Sequence, residues 1–312
     1  PRTGTPARKT TANCATPDRS ELSAHYNLDS ENMESEMLVY SADELGGKLS
    51  ALDLCTMKTY NSGTALPFVN YALEVVGSRA LIVGGLSFQT RMSVVTTIIW
   101  NIREGTFVEG PCMNSSRHQS FLVNYENQLL FVVGGHVADA SGTDMLQQKC
   151  EVLNLQTMKW SDIPEIAISP ILSAFLYKGR IVVFSEEAAG LLDVSNMEAG
   201  WKIVLAGNML LFLPMHKAHQ ISDKEVLLFG TNGIEYMFNM DSVRGEGRLS
   251  AVRVNPQNTI AKAQKFNGFF VFDVFQRLWL YHCVMRKWKL VDMSSMTDEA
   301  TLLASFDSLS LS

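Results

Sequence analysis

The stretch "VLNLQTMKW" (152–160) places an apolar run, a polar residue, a short turn and a tryptophan within nine residues. Related phrases occur at 51–60 ("ALDLCTMKTY"), 191–201 ("LLDVSNMEAGW") and 280–288 ("LYHCVMRKW"). A phrase that recurs at long intervals indicates a fold built from similar units, because each unit has to solve the same packing problem.

The polar residue inside each phrase gives the period of the repeat. Equivalent polar residues follow apolar runs at Asp53, Asn101, Asn154, Asp193, Asn239 and His282. Their spacing runs from 39 residues (154 to 193) to 53 residues (101 to 154). The mean of about 46, in a chain of short apolar runs, is typical of propellers built from four-stranded blades. The sequence therefore predicts six units.

Each unit has the pattern of β-strands. Residues 120–165 divide into "SFLVNYENQ", "LLFVVGG", "KCEVLNL" and "KWSDIP", with a polar loop before the third segment. These apolar and β-branched runs are separated by turn-forming residues, and "YENQ" predicts the turn of the first hairpin. No segment has a long helical period, so we expect a nearly all-β chain.

Two features of the opening phrase have a predicted structural role. Asn154, like Asp53 and Asp193, ends a third strand, and we expect it to accept N–H groups of the following turn. An aromatic residue then begins the fourth strand and is expected to fill the space between neighbouring blades. These blade-packing aromatics are Tyr60, Phe107, Trp160, Trp201 and Trp288.

At these residues the sequence resembles the kelch-repeat β-propellers. The double glycines of that family match Gly84-Gly85 in "LIVGG" and Gly134-Gly135 in "FVVGG", and its tryptophan matches Trp160, Trp201 and Trp288. Three other units depart from the pattern, since "VVFSEE", "LLFGTNG" and "FVFDVF" lack the glycine pair. The resemblance covers about 36–296 and implies an all-β fold, a six-bladed kelch-like β-propeller of four-stranded antiparallel blades.

The first unit lacks a convincing first strand. We expect 300–308, within the strand-like "ATLLASFDSLSLS", to pair into the first blade and close the ring, which removes both exposed sheet edges. The alternative is a C-terminal tail. The propeller domain is predicted to span 35–312.

Residues 1–34 are predicted to form a flexible or partner-bound N-terminal arm. The segment 1–20 is basic, whereas 21–46 holds seven acidic residues and no Lys or Arg, a composition that does not support a core. Thr5 in "TPAR" and Thr16 in "TPDR" are possible phosphosites, or coincidental Thr-Pro pairs of a linker. The chain begins at Pro1, so we expect a longer or processed protein.

Composition excludes several classes of protein. The net charge is −6, so nucleic acid is not an expected partner. The longest apolar run, "MLLFLPM" (209–215), is much shorter than a membrane span. The five scattered cysteines predict free thiols in a reducing compartment, and hence a cytoplasmic location. The kelch resemblance adds attachment to the cytoskeleton as a possible role.

Motifs for catalysis are not found in the sequence. It contains no phosphate-binding glycine loop, no GxSxG and no HExxH. His216 and His219 are three residues apart on a predicted strand, so they face opposite sides. Galactose oxidases are kelch-type enzymes with a copper site of tyrosines, histidines and a cross-linked cysteine, and no such cluster can be assembled here. We therefore expect no enzyme, cofactor or metal.

The longest loops are the expected place for a partner protein, unless their length has simply drifted. They are 136–148 and 86–95, on one face, and 241–248, a predicted turn on the opposite face. The candidate partner-binding residues are Phe88, Arg91, Met92, His136, Asp139 and Asp144.

The sequence thus predicts a non-catalytic protein–protein interaction scaffold, a subunit of a larger assembly. The alternatives are a substrate-recognition subunit of a ubiquitin ligase, a propeller enzyme of the galactose-oxidase type, and a glycan-binding propeller.

Overall fold

Strands make up most of the part of the chain that a computed structural model describes. The described residues are 37–41, 47–54, 56–185, 188–205, 215–220, 225–230, 234–239, 244–249, 261–263, 268–272, 278–282 and 287–291. Within them a single short 3-10 helix, Val194–Ala199, interrupts the strands. The prediction of an all-β chain is confirmed.

The strands, in chain order, are β1 (Met37–Ser41), β2 (Leu49–Asp53), β3 (Thr59–Asn61), β4 (Phe68–Val69), β5 (Ala72–Val76), β6 (Arg79–Val83), β7 (Leu86–Ser87), β8 (Thr97–Asn101), β9 (Thr106–Glu109), β10 (Phe121–Tyr125), β11 (Leu129–Val133), β12 (His136–Ala138), β13 (Asp144–Leu146), β14 (Cys150–Asn154), β15 (Lys159–Ile163), β16 (Ser173–Tyr177), β17 (Arg180–Phe184), β18 (Ala188–Asp193), β19 (Lys202–Leu205), β20 (Met215–Gln220), β21 (Glu225–Gly230), β22 (Ile234–Asn239), β23 (Arg244–Leu249), β24 (Ala261–Ala263), β25 (Gly268–Phe272), β26 (Leu278–His282) and β27 (Lys287–Leu290).

The strands form antiparallel sheets whose order follows the chain. The four-stranded sheets are β5-β6-β8-β9, β10-β11-β14-β15, β16-β17-β18-β19, β20-β21-β22-β23 and β24-β25-β26-β27, and β1-β2-β3 is three-stranded. Two small sheets, β4-β7 and β12-β13, are attached to the second and third of these six units. In every four-stranded sheet the polar residue of the repeat is the last residue of the third strand, so the predicted period marks real units.

Neighbouring sheets contact each other through their first strands. Strand β10 contacts β5 on one side and β16 on the other, and β16 contacts β20. Strand β1 contacts β24, which begins the last sheet. The predicted C-terminal closing strand at 300–308 lies outside the described residues, as does the arm at 1–34 with Thr5 and Thr16.

Polar side chains hold the turns after three of the strands. Oδ1 of Asn154 accepts the N–H groups of Gln156 (3.0 Å) and Thr157 (2.8 Å). Oδ1 of Asp53 accepts the N–H of Thr56, and Oδ1 of Asp193 accepts that of Ser195. These bonds confirm the predicted role of the polar residue.

The hairpin turn predicted in "YENQ" is also present. Glu126 and Asn127 have positive φ angles of 52° and 54°. Two consecutive left-handed residues give a turn whose twist matches that of the flanking strands.

Apolar residues from adjacent sheets form shared cores. One cluster joins Val83 and Ile99 of the second unit to Leu130, Leu153 and Trp160 of the third. Similar clusters join the first unit to the second and the third to the fourth.

Two tryptophans add a hydrogen bond to this packing. The indole N–H of Trp160 donates to the carbonyl of Pro111 (3.0 Å), just after the last strand of the preceding unit. The indole N–H of Trp201 donates in the same way to Pro164 (2.8 Å). Each tryptophan therefore ties its own sheet to the main chain of the sheet before it.

The other predicted aromatics lie at comparable positions. Tyr60 and Phe107 are partly buried against the cluster between the first and second units. Trp288 lies in β27, and its side chain is outside the described part of the structure.

The double glycines allow a close approach of main chain. Gly84 and Gly85 follow β6, and Gly134 and Gly135 follow β11. A side chain at Gly84 would collide with the carbonyl of Arg117, and one at Gly135 would lie 2.6 Å from the carbonyl oxygen of His118. The segment 117–118 therefore packs against both glycine pairs.

A buried ion pair fixes this segment. Nη2 of Arg117 donates to Oε1 of Glu151 at 2.6 Å, and both side chains are fully buried. The Arg117 guanidinium also donates to the carbonyl of Lys149 (2.6 Å). The Glu151 carboxylate accepts the N–H groups of Asn114 (2.6 Å) and Ser115 (3.1 Å). The pair therefore joins the 114–117 segment to β14.

Two predictions are wrong. Residues 244–248 of the predicted turn 241–248 belong to β23, which pairs with β22, because strand pairing overrides the low strand propensity of "RGEGR". Cys112 is disulfide-bonded, so it is not a free thiol. Cys150 is free and buried, and burial raises the pKa of its thiol to about 11.

Replacing Glu151 with glutamine leaves the buried guanidinium of Arg117 without its anionic partner. We expect the free energy of unfolding to fall by about 3–5 kcal/mol, measured by urea unfolding followed through tryptophan fluorescence. Glu109→Gln at the exposed end of β9 is the matched control and should change stability by less than about 0.5 kcal/mol. A loss below about 1 kcal/mol for Glu151→Gln would contradict this role.

Candidate functional site

The two loops predicted to bind a partner lie side by side. The N–H of Ser93 donates to the carbonyl of Ala138 (3.0 Å), and the N–H of Ala138 donates to Oγ of Ser93 (2.8 Å). The loop 86–95 thereby borders β12, the first strand of the hairpin in 136–148. We call these two segments together the loop face.

The base of the loop face is a histidine cluster. Nδ1 of His118 lies 2.8 Å from Oγ of Ser93, and its ring centroid is 5.6 Å from that of His136. Oδ2 of Asp144 lies 3.5 Å from Nδ1 of His136 and 3.8 Å from Nε2 of His118. One carboxylate thus faces two imidazoles, on β12 and on the neighbouring segment.

His118 is buried, and this sets its charge. Burial lowers the pKa of His118 below the ordinary value of 6.5. The carboxylate of Asp144 opposes this shift, and the nearby His136 adds to it. A neutral His118 therefore forms the bond with Ser93 near neutral pH.

Ser93, His118 and Asp144 are connected in the order of an activated serine, but their geometry indicates a structural role. A nucleophile has to present its Oγ to a substrate. Oγ of Ser93 lies in a buried residue and accepts the N–H of Ala138. Within the described residues, no group of three His, Cys, Asp or Glu is placed to hold a metal ion. We therefore assign the cluster to joining the two loops.

Asp139 closes the tip of the hairpin. Its Oδ1 accepts the N–H groups of Ser141 (2.8 Å) and Thr143 (3.1 Å) and the hydroxyl of Ser141. These bonds, led by that of the Ser141 hydroxyl, lower the pKa of Asp139.

The rim of the loop face exposes four large apolar side chains among polar residues. Phe88 and Met92 on one loop are 38% and 37% exposed, and Met145 and Leu146 of β13 are 52% and 45% exposed. Arg91 is exposed between the first two, at a positive φ of 57°. Exposed apolar residues that gather on one face are typical of interaction sites.

Four residues of this face were not predicted from the sequence. Met145 and Leu146 were detectable, since they are the large apolar residues of the otherwise polar "ADASGTDMLQQ". Ser93 and His118 gave no local signal, because their contacts join segments far apart in the chain.

Comparison with known proteins gives no assignment: no protein-family model matches the chain, and no curated protein matches it either. Within the described residues no helix is long and apolar enough to span a membrane.

Acidification should loosen the loop face. The pKa of His118 is lowered in the folded state, so the stabilisation is present above pH 6.5 and is lost as the pH falls below it. Amide hydrogen exchange corrected for intrinsic rates should show lower protection of Ser93 and Ala138 at about pH 5.5 than at about pH 7.5.

His118→Asn provides the control for this prediction, because asparagine bonds to Ser93 without titrating. In this variant, the amide protection of Ser93 and Ala138 should be the same at about pH 5.5 and at about pH 7.5. Equal pH dependence in the variant and the parent chain would show that His118 is not the group responsible.

Proposed function

We propose that this chain is a non-catalytic protein–protein interaction module, a kelch-like six-bladed β-propeller that serves as a scaffold subunit of a larger assembly. The observation that carries the proposal is the loop face, which holds an exposed apolar rim on a buried, hydrogen-bonded base.

The contacts between units support the propeller. The first strands of four consecutive sheets contact each other in the order β5, β10, β16 and β20. Strand β1 of the first sheet contacts β24 of the last sheet. Radial packing of four-stranded sheets around an axis places their first strands together in this way. The indole bonds of Trp160 and Trp201 fit the same arrangement, since each joins a unit to the preceding one.

The loop face has the properties of a protein contact. Its rim offers Phe88, Met92, Met145 and Leu146, which are large side chains that lose water on binding. Its base keeps the two loops in register through Ser93, so little loop ordering opposes association.

Other proteins of a multi-subunit assembly are the proposed partners. The proposed setting, cytoplasmic and attached to the cytoskeleton, rests on the kelch resemblance alone, because the disulfide at Cys112 removes the support from free thiols.

Replacing Phe88 and Met92 with glutamate places two charges on the apolar rim. We expect the chain to lose its partner, with an affinity at least about tenfold weaker, because truncation of a central contact residue commonly costs that much. The partner is first captured from the native source by affinity purification with mass spectrometry, and its binding is then measured with purified proteins.

Ile203→Glu is the matched control, since Ile203 is 39% exposed on β19, the last strand of a sheet to which neither loop belongs. This variant should keep full affinity. If it weakens binding as much as the double variant does, the loop face is not the contact surface.

A further inference from the structure

One edge of strand β13 is not paired with any strand in the described part of the chain. The N–H groups of Asp139 and Gln147 bond across the hairpin to Thr143 and Gly135, whereas His136 and Ala138 of β12 bond outward. The outward partners are His118 and Ser93. Because hydrogen-bonding direction alternates along a strand, the main-chain groups of Asp144 and Leu146 point away from β12. No described strand other than β12 pairs with β13.

This edge differs from the outer edges of the larger sheets. Proteins protect exposed edges with charged side chains, lysine above all. Most outer strands of the larger sheets carry such charges, with Glu109 in β9, Lys159 and Asp162 in β15, Lys202 in β19, Arg244, Glu246 and Arg248 in β23, and Lys287 and Lys289 in β27, whereas β3 has none. Strand β13 has a single charge, Asp144, followed by exposed Met145 and Leu146. Its edge therefore offers one carboxylate beside two adjacent, exposed apolar side chains.

The charges around the edge of β13 indicate the charge of a segment that could pair with it. Segment 136–148 contains Asp139 and Asp144 and no Lys or Arg. Asp139 is bonded within its own turn, whereas the side chain of Asp144 is 51% exposed. The titratable side chains that face this carboxylate are His136 at 3.5 Å and His118 at 3.8 Å, and burial lowers the pKa of His118.

The side chains of β13 alternate between two faces. Asp144 and Leu146 share the face of their cross-strand neighbours Ala138 and His136, and Met145 lies on the other face with Val137. A strand added at this edge therefore meets a carboxylate on one face and a thioether on the other.

We infer that β13 binds an extended peptide segment of a partner protein by strand addition, with a Lys or Arg opposite Asp144 and apolar residues beside Met145 and Leu146. This inference rests on the proposed function, because it names how the loop face recognises its partner. Main-chain bonds to Asp144 and Leu146 supply affinity, and the flanking side chains supply selectivity.

A display library of random linear peptides, selected on the full chain, tests the inference. Enriched peptides should combine a basic residue with alternating apolar residues. Leu146→Pro removes the outward N–H and leaves the bonds to β12 intact, so it should weaken these peptides by about tenfold or more. Leu146→Ala keeps the N–H and should cost less than about threefold, because most rim contacts are nearly neutral.

Charge is tested with Asp144→Lys, which should weaken the selected peptides by about tenfold. Glu109→Lys, a matching reversal of charge on the edge of β9, should leave the affinity unchanged within about twofold. Exchange of the Asp144 and Leu146 amides should slow when peptide binds, which reports pairing of the main chain directly. Unchanged protection of Ser93 and Ala138 shows that each variant keeps its fold.

The inference is overturned if no peptide is enriched over a Leu146→Pro counter-target, or if binding leaves the Asp144 and Leu146 amides unprotected. The proposed function has a separate test in Phe88 and Met92. If those variants lose the partner while the β13 amides stay unprotected when the partner binds to the parent chain, the proposed interaction module stands and the strand addition is refuted.

Discussion

The buried contact between Arg117 and Glu151 is the constraint on which the loop face depends. Two full charges lie out of water, and further hydrogen bonds offset part of the cost of burying such a pair. Here the guanidinium reaches the carbonyl of Lys149, and the carboxylate receives two main-chain N–H groups. His118 is the next residue, so the pair determines where the base of the loop face begins. A change at Glu151 would therefore affect a surface that Glu151 does not touch.

The same segment explains why glycine is required on both sides of it. Main chain at 117–118 lies against Gly84 in one unit and Gly135 in the next. A β-carbon at either position would push this main chain away from the sheet. The double glycines of the repeat thus serve a contact between units, and the two segments of the loop face begin directly after them. Strand, glycine pair and loop form one structural module.

Much of the fold follows from local signals, and this is why the sequence predicted it. A polar residue at a strand end and a turn of two left-handed residues act within three or four positions, as at Asn154 and at Glu126-Asn127. Buried polar contacts act over long separations. Arg117 and Glu151 look like ordinary surface charges in the sequence, because only the assembled sheets bring them together. The two loops were predictable from their length, but not the serine and histidine that join them.

The bonds from Trp160 and Trp201 to proline carbonyls have an evolutionary consequence. Each indole donates to a main-chain oxygen, which every residue possesses, and only that of Trp160 also lies within hydrogen-bond distance of a side chain in the neighbouring unit, the hydroxyl of Thr97 at 3.3 Å. A unit can therefore diverge, or be copied by duplication, without a matching change next to it. This bond acts together with the shared apolar clusters to hold one unit against the next. Such a joint allows neighbouring repeats to lose nearly all sequence similarity while the sheets stay in contact.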